Sequence, residues 1–294
     1  MRLGVHVPIA GGLDKALAWA RRISCTTMQI FSRSPRGGSS TRLSADLLER
    51  FHAQRREAGI EPLAVHGPYI INLASPDEAM WKRSVALYQE EYTRVLQLKA
   101  RYLVTHVGSH KGQGEEAGIG RVAEALNRTL DGQPGPAMIL LENTAGSGQG
   151  IGDQFEHLAA IREQVEDRTR VGVCLDTAHL FAAGYPIHTP EGLAETISAF
   201  DRIVGLEWLK LIHLNDSKVP FGSRVDRHWH IGQGHIGRAA FGRIVTHQVL
   251  RNLPFILETP KSTEDEDARN LATVRRLMQP VASKRRPAAV GRRA

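Results

Sequence analysis

The sequence predicts an α/β protein built as a closed (β/α)8 TIM barrel, and three observations point there. Short apolar runs alternate with amphipathic stretches from residue 2 to about residue 278, giving eight strand-then-helix units. The runs are continuously apolar, as parallel strands buried on both faces are. Six successive runs (PLAVH, YLVTH, AMILLE, VGVCLD, LKLIH and PFILE) end in His, Asp or Glu where the chain leaves its apolar core. An open doubly wound sheet would spread those ends along a line. A barrel gathers them at its C-terminal mouth, where such folds keep their active sites.

The first strand, LGVHV, runs into Gly-Gly and an apolar-periodic helix over LDKALAWARRI. TTMQIF is the second strand. The polar loop SRSPRGGSSTR follows, then a helix starting near Ser44, whose hydroxyl offers a cap. After PLAVH comes a loop and a long amphipathic helix over about 77–99. YLVTH leads through GSHKGQG to a helix from about 116, and AMILLE through NTAGSGQGIGD to a helix over QFEHLAAIREQV. Neither Gly-rich loop matches the P-loop or the dinucleotide fingerprint, so both read as flexible backbone at the mouth. VGVCLD is followed by a helix from about 190, and LKLIH by the longest loop, reaching about 237. PFILE precedes the last helix, about 263–278, whose acidic start and basic finish complement its dipole.

At 294 residues the chain accommodates one barrel domain over 1–280 and a short basic tail over 281–294, expected to be disordered. No run reaches the roughly 18–20 apolar residues of a membrane span. The N-terminus lacks the charged-then-apolar pattern of a signal peptide, so a cytoplasmic, membrane-free protein is expected. Cys25 and Cys174 lie in apolar runs and read as small buried side chains in a reducing compartment. The formal charge is +7, and the tail supplies five of those charges through Lys284, Arg285, Arg286, Arg292 and Arg293. An anionic partner such as nucleic acid suits this balance.

Nine metal-capable side chains share the strand-end position or the loops just beyond: His66, His106, Glu142, Asp176, His179, His213, Asp226, His228 and Glu258. A single strand-end His usually has a structural role, but six ends in a row converge. In DTAH a short turn can aim both Asp176 and His179 inward, and DRH sets Asp226 and His228 two apart in the long loop. Glu142 and Glu258 close apolar runs with no local charge to offset them. A buried carboxylate without a partner is costly, so a cation is expected beside each. Mixed His and carboxylate ligands suit zinc or a similar divalent ion. His6 and His110 are candidates for orienting the ligands or a phosphate. His52, His157 and His247 read as solvated helix positions, and His188, His230 and His235 as loop residues.

The motifs HGPYIINLASP, THVGSHKGQG, LLENTAGSGQGIG, CLDTAHLFAAGY, HLNDSKVPFGSRVDRHWHIGQGHIG and ILETP occur in that order. Together they resemble the endonuclease IV family of zinc-dependent apurinic/apyrimidinic endonucleases, over about residues 2–278. All nine of that family's ligand positions carry its residue type here. The resemblance implies three zinc ions: one on His66, His106 and Glu142; one on Glu142, Asp176, His213 and Glu258; one on His179, Asp226 and His228. Glu142 then bridges two ions, and Glu142 and Glu258 serve the catalysis. It leaves open whether manganese takes one position. It further implies hydrolysis of duplex DNA 5′ to abasic sites, trimming of blocked 3′ ends, and a monomer that works at the nucleoid. Tyr69 and Ile70 match residues pressed into the DNA stack, and Arg36 a basic residue inserted in the groove. The chain departs from the family pattern in SPRGGSS, which lacks the aromatic common after that Arg, and at Gln233 and Val107.

A sugar isomerase or epimerase of the xylose isomerase-like barrels is the rival reading. Glu142, Asp176, His213 and Glu258 would serve it, leaving His66, His106, His179, Asp226 and His228 without a purpose. A non-catalytic DNA-binding barrel predicts lost ligands, and none is lost.

Overall fold

The computed structural model describes residues 1–37, 42–263 and 265–279. The basic tail falls outside them. Ten strands occur among the described residues: β1 (Arg2–Val7), β2 (Met28–Phe31), β3 (Leu63–His66), β4 (Tyr102–His106), β5 (Met138–Glu142), β6 (Val171–Asp176), β7 (Leu209–His213), the two-residue β8 (Asp216–Ser217) and β9 (His228–Trp229), and β10 (Pro254–Leu257). All but β8 and β9 pair in parallel and close into a barrel in the order β1-β10-β7-β6-β5-β4-β3-β2.

Helices α1 (Leu13–Arg22), α2 (Ala45–Glu57), α3 (Glu78–Gln97), α4 (Glu115–Leu130) and α5 (Phe155–Gln164) follow the first five strands in turn. α6 (Thr177–Ala183) and α7 (Pro190–Ile203) follow β6, α8 (Arg238–Thr246) precedes β10, and α9 (Glu266–Leu277) ends the described chain. The caps are local chemistry. Ser44 accepts the N–H of Leu47 at 3.3 Å, Asp77 that of Met80 at 2.6 Å, and Thr189 that of Gly192 at 3.0 Å with Pro190 opening α7. No helix among the described residues is long and apolar enough to cross a membrane.

The barrel interior carries its own apolar layer: Ala64, Val104, Met138, Leu140, Cys174, Leu211 and Ile256. Strand side chains repeat their direction every second residue. Two residues past this layer stand His66, His106, Glu142, Asp176, His213 and Glu258. The same inward face that packs the barrel therefore points these six side chains into its mouth.

Three expectations need correction. Asp176 to His179 is no mere turn: it opens α6, with Asp176 as the N-cap accepting the His179 N–H at 2.9 Å. The long loop after β7 holds the antiparallel pair β8–β9. Buried Asp216 fixes it by accepting the N–H groups of Ser217, Gly232, Gly234 and Ile236 at 2.8–3.0 Å. The Gly-rich mouth loops are pinned, not loose. Asn72 Oδ1 accepts the Ser109 and Ala74 N–H groups at 2.9 and 3.2 Å, and its amide donates to the Ser109 carbonyl. Gly108 sits at φ +106°, where a Cβ would lie 2.2 Å from that Asn72 oxygen.

Candidate metal centre

Glu142 is the hub of the mouth and is fully buried. Its Oε2 lies 3.1 Å from His66 Nε2 and 3.1 Å from His106 Nε2. Its Oε1 lies 2.8 Å from His213 Nδ1 and 3.6 Å from His179 Nδ1. His213 Nδ1 also faces Glu258 Oε2 at 3.3 Å and Asp176 Oδ2 at 4.0 Å. On the far side, His179 Nε2 and His228 Nε2 stand 3.4 Å apart. Asp226 Oδ2 is 3.2 Å from the first and its Oδ1 3.3 Å from the second. Asp176 Oδ2 reaches His228 Nε2 at 3.4 Å.

Three groups of donors are thus compact enough to hold an ion: His66, His106 and Glu142; Glu142, Asp176, His213 and Glu258; and Asp176, His179 and His228. All nine sequence-assigned residues come together. One detail shifts. Asp176, assigned to a single ion from the motifs, stands between two groups, while Asp226 is an exposed carboxylate closing the third from the loop side.

The hydrogen bonds on the far ring nitrogens test whether a cation fits. His66 Nδ1 donates to the Gly67 carbonyl at 2.7 Å, His179 Nδ1 to the Asn143 carbonyl at 2.9 Å, and His228 Nδ1 to the Glu258 carbonyl at 3.2 Å. A carbonyl only accepts, so each Nδ1 carries a proton, and each Nε2 is left facing carboxylate oxygens, where it offers a lone pair once the ring holds no second proton. Two such lone pairs face each other between His179 and His228. Lone pairs and carboxylates crowded at 3.1–3.4 Å repel unless positive charge sits among them. A divalent ion meets that need, with each far nitrogen held as metal-bound imidazoles usually are.

Without an ion, protons supply the charge. Burial pushes the Glu142 carboxyl up, yet His213 and His106 outweigh it and hold the group well below the usual carboxylate range. Burial lowers the His179 imidazole, but Asp176 and Asp226 overcome this and raise it to about 10. Asp226 is pushed up by partial burial and pulled down further by His179, to about 2. A bound cation displaces such protons, so metal uptake and proton release are linked.

Sequence reasoning missed three side chains behind these donors. Gln29, fully buried on β2, contacts both His213 and Glu258. Asn215 donates to Asp176 Oδ2 at 2.6 Å and accepts the Glu258 N–H at 2.7 Å. Asn143 accepts the Asp176 N–H at 2.6 Å. A signal existed for each: a polar side chain in or beside a doubly buried strand must find partners.

Among the remaining histidines, His6 bears on the site, with Nδ1 3.0 Å from Glu258 Oε1. His110 is structural: its Nδ1 accepts the N–H groups of Gly112 and Gly114. The solvated reading of His157 is wrong. That side chain is buried, 3.5 Å from Asp153 and 3.2 Å from Glu115. Its partners come from a loop and from α4, which helical periodicity cannot reveal. His52 and His247 are half-buried.

At the rim, Tyr69 and Ile70 are 64% and 50% exposed, unusual for large apolar side chains. The Tyr69 ring packs 5.4 Å from Phe31 and 5.9 Å from His66, so it stands over the first donor group. Arg36 is exposed on the neighbouring loop. That loop is tied on by the Tyr69 N–H to Pro35 carbonyl bond of 3.1 Å.

A barrel with His and carboxylate donors gathered at its mouth defines the class, and a family model for xylose isomerase-like TIM barrels matches residues 17–279. The chain is 46% identical over 280 residues to a probable endonuclease 4 of Chloroflexus aggregans, covering 95% of this chain and 98% of that one. The crystal structure of endonuclease IV from Thermus thermophilus matches with a TM-score of 0.84 at 37% identity, over 94% of this chain and 98% of that one. The chain belongs to the endonuclease IV family. A D-tagatose 3-epimerase-like protein matches with a TM-score of 0.70 at 18% identity, over 94% of this chain and 95% of that one, a likeness of fold alone.

Proposed function

We propose that this chain is a metal-dependent DNA-repair phosphodiesterase that hydrolyses the backbone 5′ to abasic sites, and trims blocked 3′ ends, with three zinc ions. The observation that carries the reading is the shared Glu142, each oxygen turned to a different set of imidazole nitrogens. His66, His106 and Glu142 hold one ion; Glu142, Asp176, His213 and Glu258 a second; His179, His228 and Asp226 the third, with Asp176 in reach. When bound, such ions activate water near neutral pH and stabilise the charge that builds on phosphate oxygens.

The chain's own groups do the rest. Glu142 and Glu258 set the spacing of the first two donor groups. Four carboxylates (Glu142, Asp176, Asp226 and Glu258) are outnumbered by the charge of three divalent ions, so the loaded mouth attracts a phosphodiester. Tyr69 and Ile70 offer an apolar wedge beside the site and Arg36 a cation for the groove. They suit a duplex from which a nucleotide is flipped, a step easiest where no base is stacked. The partner is double-stranded DNA with abasic or 3′-blocked damage, engaged by a monomer at the nucleoid. The test is incision of a duplex carrying one synthetic abasic site, expected to vanish with chelator and with Glu142→Gln. A metal-loaded protein that leaves this duplex intact yet interconverts a ketose and an aldose would establish the epimerase-like reading instead.

A further inference from the structure

We propose that Gln29 is a positioning residue that decides which nitrogen of His213, and which oxygen of Glu258, faces the central ion; this rests on the metal reading above. Gln29 is fully buried on β2, which with β1 is one of the two barrel strands whose ends supply none of the proposed ligands. Its amide spans two ligands of the group Glu142, Asp176, His213 and Glu258. Nε2 donates to Glu258 Oε1 at 2.6 Å, and Oε1 lies 2.9 Å from His213 Nε2. His6 Nδ1, 2.9 Å from the Gln29 nitrogen, closes the network from β1.

The chemistry allows one arrangement. An ionised Glu258 only accepts, so the amide must turn its nitrogen there and its oxygen to His213. That oxygen accepts, so Nε2 of His213 carries a proton, and Nδ1 is the nitrogen that a cation can claim. Nδ1 is thereby aimed at Glu142 Oε1 at 2.8 Å and Glu258 Oε2 at 3.3 Å, where the proposal sets the ion. His66, His179 and His228 are oriented the opposite way, each donating its Nδ1–H to a backbone carbonyl. Among the described residues, the far nitrogen of His213 meets the Gln29 oxygen in place of a backbone carbonyl. A single side chain performs for the central group what the main chain does for its neighbours.

Outer partners of this kind are worth roughly 10–100-fold in metal affinity. Zinc uptake is measured by competition against a chromophoric chelator, for the parent and for Gln29→Met, which keeps the volume and removes the amide. We expect one zinc equivalent to weaken by about 10–100-fold while the others bind as in the parent. Equal affinities throughout, or all equivalents weakened alike as a general packing defect would do, overturn the proposal. A second measurement needs no variant. In parent protein labelled with ¹⁵N-histidine and loaded with ¹¹³Cd, His213 should show coupling to the metal at Nδ1 and a proton on Nε2. Coupling at Nε2 overturns the proposal even if Gln29→Met does not fold. A parent that takes up no metal removes the metal reading itself, and this inference with it.

Discussion

Two adjacent layers of the barrel differ by two residues of each strand and by everything in chemistry. Ala64, Val104, Leu140, Cys174, Leu211 and Ile256 form a buried apolar interior layer. His66, His106, Glu142, Asp176, His213 and Glu258 stand one pleat further along the same inward face. Backbone geometry is common to both layers. The lower layer gains from being removed from water. The upper one carries charge largely withdrawn from water, and it is stable only with cations or protons among its oxygens. The lower layer thus acts as a floor that fixes where the donor groups stand.

The largest effect expected from breaking this contrast is at Glu142. Glu142→Gln removes the carboxylate shared by the first two donor groups. Incision of an abasic duplex should fall by more than about 100-fold, beyond the range for an outer partner. Activity within tenfold of the parent would mean that Glu142 is a structural side chain. In the layer below, Leu211→Ala should cost about 2–5 kcal/mol in denaturant unfolding by opening a cavity. It should leave the metal content unchanged where the protein is still folded. Loss of metal without loss of stability would show that the two layers are not separable in this way.

The rim sharpens the contrast, because Tyr69 is an aromatic side chain that packs on the site but faces solvent. Tyr69→Ala should reduce cleavage at an internal abasic site by roughly 1–3 kcal/mol of stacking. Trimming of a frayed 3′ end should be far less affected, and equal losses would assign Tyr69 to folding.

A smaller effect belongs to the buried ion pair away from the ligands. The Asp153 hydrogen bond, against the opposing effect of burial, raises the His157 imidazole above its ordinary value. Its stabilising contribution is complete below about pH 6.5 and declines as pH rises through the raised folded value. Asp153, held low chiefly by His157, contributes above about pH 3.9, and that part is lost as pH falls. Unfolding curves of the parent and His157→Gln should therefore differ most between these limits and converge at alkaline pH. A constant difference up to pH 10 would mean that packing, not the ion pair, is what His157 provides. Smallest of all, removal of residues 281–294 should reduce the salt slope of DNA binding by about 0.9 for each phosphate the tail would otherwise neutralise. An unchanged slope would leave the tail without a role in DNA binding.

The six strand ends were legible because a barrel forces one position on all of them, and a polar residue closing an apolar run is visible in the sequence. His179, Asp226 and His228 were legible only through their motifs, since loop residues have no period to betray their direction. Gln29 was hidden inside TTMQIF, where nothing in the pattern tells which face of the strand carries it. Asn143 and Asn215 were hidden by the ligands they follow. His157 was misread because a helix period reports amphipathicity, whereas its partners Asp153 and Glu115 are brought by tertiary contacts. The seven-residue α6 was missed because a helix so short has little period to show.

Anomalous diffraction at the zinc edge from crystals of the metal-loaded protein tests the convergence of these ligands most directly. Three peaks are predicted: one by His66 and His106, one by His213 and Glu258, one by His179 and His228, with Glu142 touching the first two. A solitary peak beside His213 and Glu258, with the other four imidazoles bare, would contradict the account.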